Sequence, residues 1–137
     1  KCAIIIHSKK LKEVRDMRRK KLAKTYLLST ATGEVLNTYA ILIVSDETIR
    51  EVEEKRNQLD NWWCLLAEKL HKKYFPAFPP YRDHGGRRTR FWFHVAFEEF
   101  EEGYERLLYK TKKEYGDDEE VRLRVNNFIK NLPVYHI

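Results

Sequence analysis

The sequence predicts one α+β domain: a small mixed or antiparallel sheet, one long helix over it, and two further helices at the C-terminal end. Three observations carry this expectation. Hydrophobic residues make up 42% and charged residues 35% of the 137 positions, enough for one core and too apolar for a disordered tail. The apolar period alternates between two and three-to-four residues along the chain, the signatures of strand and helix. Proline and glycine fall between those stretches, where turns belong.

Taken in order, Cys2-Ala3-Ile4-Ile5-Ile6-His7 is short, apolar and β-branched, as a strand buried on both faces should be. Lys9 to Lys24 follows, with Leu11, Val14, Met17 and Leu22 as a narrow stripe; it reads either as a helix or as a basic arm. Thr25–Thr30 and Val35–Val44 are rich in β formers and flank Ala31-Thr32-Gly33-Glu34, which predicts a hairpin.

Ser45 caps a helix whose first turn carries Asp46 and Glu47, favourable at the positive end of the dipole. Ile49, Val52, Leu59, Trp63, Leu66 and Leu70 continue its stripe to about Tyr74, interrupted by Arg56. At 1.5 Å per residue that helix is roughly 44 Å long. Its stripe, with Trp62 beside Trp63, suits either the chain's own core or a homodimer surface over residues 46–74.

Pro76, Pro79 and Pro80 end the helix and open a loop through Tyr81-Arg82-Asp83-His84-Gly85-Gly86-Arg87-Arg88. Thr89 to Glu98 alternates cleanly as a strand. Phe91, Phe93, Val95 and Phe97 point one way, and Arg90, Trp92, His94 and Ala96 the other. A helix from about Glu98 to Tyr115 carries Phe100, Tyr104, Leu107 and Leu108 on its buried stripe and ends at Gly116. Asp117 to Glu120 start a last helix with Val121, Val125, Phe128, Ile129 and Leu132, stopped by Pro133. If residues 9–24 are helical, the first six elements follow the ferredoxin-like βαββαβ order.

Charge is the most informative bulk property. The chain carries +6 with a pI near 9.3. Lys1 to Lys24 hold ten Lys/Arg against Glu13 and Asp16, a net +8, so the other 113 residues sum to −2. One strongly basic end predicts a polyanion partner: nucleic acid first, an anionic membrane surface or an acidic protein after it. The longest apolar run, Ala3 to Ile6, is far too short to span a membrane, and no signal-peptide pattern opens the chain. Lys1 reads as a processed or trimmed start. Cys2 and Cys64 lack metal-ligand spacing and read as small core residues of a reducing, cytoplasmic setting, with no metal site and no cofactor implied. A single Gln and a single Met among abundant Glu, Lys, Arg and Tyr resemble thermophile usage.

Two clusters are candidate nucleic-acid contacts. Lys9, Lys10, Lys12, Arg15, Arg18, Arg19, Lys20, Lys21 and Lys24 repel one another, a cost that phosphate neutralisation would relieve. The alternative is a solvated face balanced by acids such as Glu98, Glu99, Glu101 and Glu102. Arg82, Arg87, Arg88 and Arg90 offer forked donors around Gly85-Gly86, and Trp92 and His94 are candidates to stack on bases or to be covered by a C-terminal helix. Arg90, Trp92, His94, Val95 and Phe97 resemble the aromatic central strand of RNA recognition motifs over eight residues, with Phe91 and Phe93 in place of its small residues.

His94 on a strand before a helix bearing Tyr104 and Tyr109 resembles the layout of HUH rolling-circle endonucleases and related transposases. That resemblance implies a metal held by two histidines beside a tyrosine nucleophile, yet Trp92 stands where the second histidine belongs. His84 or His94 could also serve acid/base ribonuclease chemistry without a metal. No GxxxxGK, GxSxG or HExxH pattern is present. The leading expectation is therefore a basic nucleic-acid-binding protein, ahead of a nucleic-acid-processing enzyme or a protein docking an acidic partner.

Overall fold

The computed structural model describes residues 22–55 and 63–137. Among them the elements run β1 (Thr25–Thr32), β2 (Val35–Ile43), α1 (Asp46–Lys55), α2 (Trp63–Tyr74), α3 (Arg90–Phe93), β3 (Val95–Glu99), α4 (Phe100–Tyr115), α5 (Asp118–Lys130) and β4 (Val134–His136). This is an α+β fold with a four-stranded mixed sheet, as the sequence predicts. The expected strand at Cys2–His7 and almost all of the basic segment lie outside the described residues.

β1 and β2 form the expected hairpin. Gly33 supplies the positive φ (+62°) at the first central position of a two-residue turn, and Glu34 does not need one, the type II′ arrangement that suits strand twist. A bulge follows: Leu28 faces Ala40 and Ser29 faces Thr38, leaving Tyr39 as the extra residue. β3 pairs antiparallel with the other side of β1, and β4 pairs parallel with β2, giving the order β3-β1-β2-β4. β1 is thus central, and Tyr26, Leu27, Leu28 and Ser29 are all buried.

On one face, Tyr26, Leu28, Ala40, Leu42, Val95 and Phe97 pack with Ile49 and Val52 of α1, Leu66 and Leu70 of α2, and Phe78, Tyr81 and Trp92. On the other, α4 crosses at Gly103, where a Cβ would stand 2.5 Å from Leu27 Cδ1 and 2.7 Å from Glu98 Oε1. Only glycine lets the helix sit that close. One turn on, Arg106 donates to both Glu98 carboxylate oxygens, to Thr38 Oγ1 and to the Leu36 carbonyl, tying α4 to β3 and β2. Two caps read from sequence hold: Thr48 N–H donates to Ser45 Oγ at 3.1 Å, and Gly116 (φ +79°) closes α4. Asp117 adds a third cap, accepting from Glu120 N–H at α5.

At four points the structure bears on these expectations. The single rod over 46–74 is overturned by Lys69 Nζ lying 2.7 Å from Glu51 Oε2. Residues eighteen apart on one straight helix would be separated by roughly 27 Å. α1 and α2 are instead two helices that share one core and meet through this ion pair; a 44 Å rod would also overrun strands that span roughly 26–30 Å. The hydrogen bond from Lys69 holds the Glu51 carboxyl below its usual range. Second, Ile49, Val52, Leu66 and Leu70 of the stripe are buried on the chain's own sheet, while Trp62, on which the homodimer alternative rests, lies outside the described residues.

Third, Thr89–Glu98 is not one strand. Trp92 N–H bonds the Thr89 carbonyl and His94 N–H the Phe91 carbonyl, making α3 a helical turn, and the strand starts only at Val95. Fourth, the ferredoxin-like order would leave Thr25–Thr32 at a sheet edge, whereas β1 sits between β3 and β2. β4 was not foreseen; three residues are too short to show a period.

The Tyr39 hydroxyl is buried with no hydrogen-bond partner among the described residues. Burial, with Tyr135 adding to it, pushes its phenol up to about 12. Tyr39→Phe is expected to raise stability by about 1 kcal/mol at pH 7, since an unmade buried hydrogen bond is lost. The unfolded phenol ionises near pH 10 and the folded one does not, so the wild-type protein keeps its stability below pH 10. It should then lose about 1–3 kcal/mol between pH 10 and 12, a loss the variant lacks. Urea unfolding at pH 7 and pH 11 checks both; a lower midpoint for the variant at pH 7 would show the hydroxyl to be satisfied.

Candidate functional site

The segment between α2 and β3 is the most basic part of the described chain: from Lys72 to His94, six Lys/Arg stand against Asp83 alone. The near-neutral body expected outside the N-terminal end therefore conceals a second cationic region, net +5, balanced by acids elsewhere.

Its geometry begins with an anchored strap. The prolines leave carbonyls that helix and indole side chains can reach. His71 Nδ1 meets the Phe78 carbonyl at 2.9 Å, Trp92 Nε1 donates to the Pro79 carbonyl at 2.8 Å, and Tyr81 N–H donates to Glu68 Oε1 at 2.8 Å. Phe78 is buried between these elements, stacked on Trp92 at 5.8 Å.

From that base a small hairpin projects. Arg82 and Arg88 form an antiparallel bridge, Asp83 N–H donates to the Arg87 carbonyl at 2.7 Å, and Gly86 N–H returns to the Asp83 carbonyl at 3.0 Å. Gly86 takes φ +76°, a conformation glycine adopts without strain. Asp83 Oδ1 accepts from Gly85 N–H and Arg87 N–H, both at 2.9 Å, so the one acid in the loop organises its turn. Thr89 closes the base through hydrogen bonds to the Pro80 and Tyr81 carbonyls.

The guanidiniums radiate from this frame. Arg82 reaches its own turn, donating from Nη1 to the Gly86 carbonyl at 3.1 Å. Arg88 is half-buried and lies over the Phe93 ring, its Cζ 4.0 Å from the centroid. Arg87 and Arg90 are exposed. Among the described residues, none of the four forms an ion pair with a carboxylate. Burial raises the Tyr81 phenol; the Cys64 thiol beside it adds to this, and the Arg88 guanidinium works against it.

The structure thus brings Arg82, His84, Arg87 and Arg88 onto one hairpin, with Arg90 and His94 on and just after α3; His84 and His94 are both exposed. It removes Trp92 as a stacking residue: only 4% exposed, it lies parallel between Phe78 and Phe97, 6.2 Å from the latter. The helical turn at α3 is the reason, since it rotates Phe91 and Trp92 toward Phe78 and turns Phe93 outward, 59% exposed. Phe93 is the residue the sequence reading missed. Strand alternation assigned it to the core, and only the Thr89 and Pro79–Pro80 tethers could have signalled otherwise.

Tyr104 donates its hydroxyl to Asn126 Oδ1 at 2.8 Å, and Tyr109 lines a groove between α4 and α5 under Lys113. Among the described residues no contact joins either tyrosine to His94, and no three His, Cys, Asp or Glu side chains converge as a metal would need. Of the nine basic residues from Lys9 to Lys24 only Lys24 is described; it pairs with Asp46 at 2.8 Å. Lys9, Lys10, Lys12, Arg15, Arg18, Arg19, Lys20 and Lys21 lie outside the described residues. No helix among those described is long and apolar enough to cross a membrane. No protein-family model matches this chain, and neither a curated protein nor a solved structure is significantly similar to it.

Proposed function

We propose that this protein binds nucleic acid, gripping the phosphate backbone with the Arg82–Arg90 hairpin and with the Lys9–Lys24 segment. The observation that carries the reading is the hairpin: three arginines on a frame tied by backbone hydrogen bonds, with Arg90 just after it, none neutralised by a carboxylate among the described residues. Arginines held close together repel, and a phosphodiester strand relieves that repulsion while releasing its own counterions. Guanidinium forks also match phosphate oxygens in geometry, and a preformed loop loses little entropy on binding.

The test is fluorescence anisotropy of the full chain against labelled single-stranded and duplex DNA and RNA across a salt series. A log–log slope equal to several phosphate contacts is expected. Reversing Arg18, Arg19, Lys20 and Lys21 to Glu together should weaken binding at least 100-fold. Absence of binding at low salt would sink the proposal and point to an acidic protein as the partner.

A further inference from the structure

We infer that Phe93 is a platform for an unpaired nucleobase, so that the strand this site takes is single-stranded. The inference rests on the phosphate-binding reading above and adds what that reading lacks, a contact to bases. Phe93 is 59% exposed although it sits one residue from the buried Trp92. The Arg88 guanidinium covers one side of its ring at 4.0 Å, and among the described residues no other ring touches it. That contact covers one side of the ring, while more than half of the residue remains exposed to solvent. Arg90, one helical turn before it, and His94, immediately after it, are exposed as well.

An aromatic ring covered by a cation on one face, and flanked by arginines that pair with no carboxylate among the described residues, presents what a flexible strand needs. The π-face takes any base, and the guanidiniums take the phosphates on either side. Arg88 serves both ends of this arrangement, because it also lies beside the Tyr81 phenol at the foot of the hairpin. Paired bases in a duplex are already stacked on their neighbours and cannot offer a face to Phe93 without unstacking, which costs binding energy. A duplex therefore uses the arginines alone.

The experiment compares wild type, Phe93→Ala, Phe93→Leu and Phe93→Tyr by anisotropy. The probes are a homopyrimidine strand made as DNA and as RNA, and a duplex of equal length. Wild type should bind the single strands more tightly than the duplex. Phe93→Ala and Phe93→Leu should weaken single-strand binding about tenfold or more and leave duplex affinity and the salt slope unchanged. Phe93→Tyr, which keeps the π-face, should retain binding. The DNA-to-RNA ratio then identifies which strand is the source of the base, since both present the same face. Full single-strand affinity in Phe93→Ala, or an equal loss on duplex and single strand, overturns the base platform while the phosphate-binding reading stands. If no strand binds wild type at all, both fall together. Phe93 is exposed, so circular dichroism of the variants should match wild type.

Discussion

Replacing Trp92 by alanine is expected to cost about 3–5 kcal/mol of stability, the range for removing a buried indole from a packed core. Three losses combine. The ring is sandwiched between Phe78 and Phe97 and also meets Phe91 and Tyr81. Its Nε1–H holds the Pro79 carbonyl. Through that bond it anchors the strap on which the arginine hairpin stands. The unfolding midpoint should fall by on the order of 10 °C or more. Trp92→Phe keeps most of the ring contacts and loses the hydrogen bond, so it should lie between the two. The measurement separates core from contact residue. If Trp92→Ala leaves the midpoint unchanged and lowers nucleic-acid affinity instead, the indole is a binding group and the core assignment fails.

The second large effect concerns charge. Arg82→Glu, Arg87→Glu and Arg90→Glu made together turn the Lys72–His94 region from net +5 to net −1. All three side chains are exposed, so thermal stability should change little. Single-strand affinity at low salt should drop at least 100-fold. The log–log salt slope should flatten by about 2, from three phosphates at about 0.7 each. The corresponding Gln variants remove the attraction without adding repulsion, and should show the same slope with a smaller drop in affinity. An unchanged slope in the triple variant would remove the hairpin from the interface and leave the N-terminal segment to act alone. Arg88 is spared in this series because its half-buried guanidinium braces Phe93 and Tyr81.

Much of the fold was legible in the sequence because the signals were local. Gly33 between two β-branched runs required a tight hairpin, Ser45 before Asp46 and Glu47 required a helix start, and Gly116 followed by acids required one helix to end and another to begin. These depend on a few adjacent backbone angles and on charges near helix ends, which neighbouring residues set by themselves. Gly85-Gly86 likewise marked a loop whose arginines were recognised as candidate contacts, but its closing into a hairpin through Arg82 and Arg88 appears only in the structure.

What the sequence left undecided, or placed wrongly, depended on partners far along the chain. A stripe over residues 46–74 is equally consistent with one rod or two packed helices; the span of the sheet, and Glu51 meeting Lys69, decided for two. Thr25–Thr32 gave no sign of being central until β3 arrived from seventy residues away to pair with it. In Phe91-Trp92-Phe93 each ring suits a core equally well, so period alone could not choose which faces inward. Phe78, the Pro79 carbonyl and the Thr89 tethers made that choice, burying Trp92 and leaving Phe93 outside. By itself the sequence determined the class of fold, the turns and the surplus of positive charge, because these follow from short-range sterics and composition. The tertiary structure alone decided strand order and which aromatic ring reaches solvent, because burial is a competition among all the side chains that converge on one core.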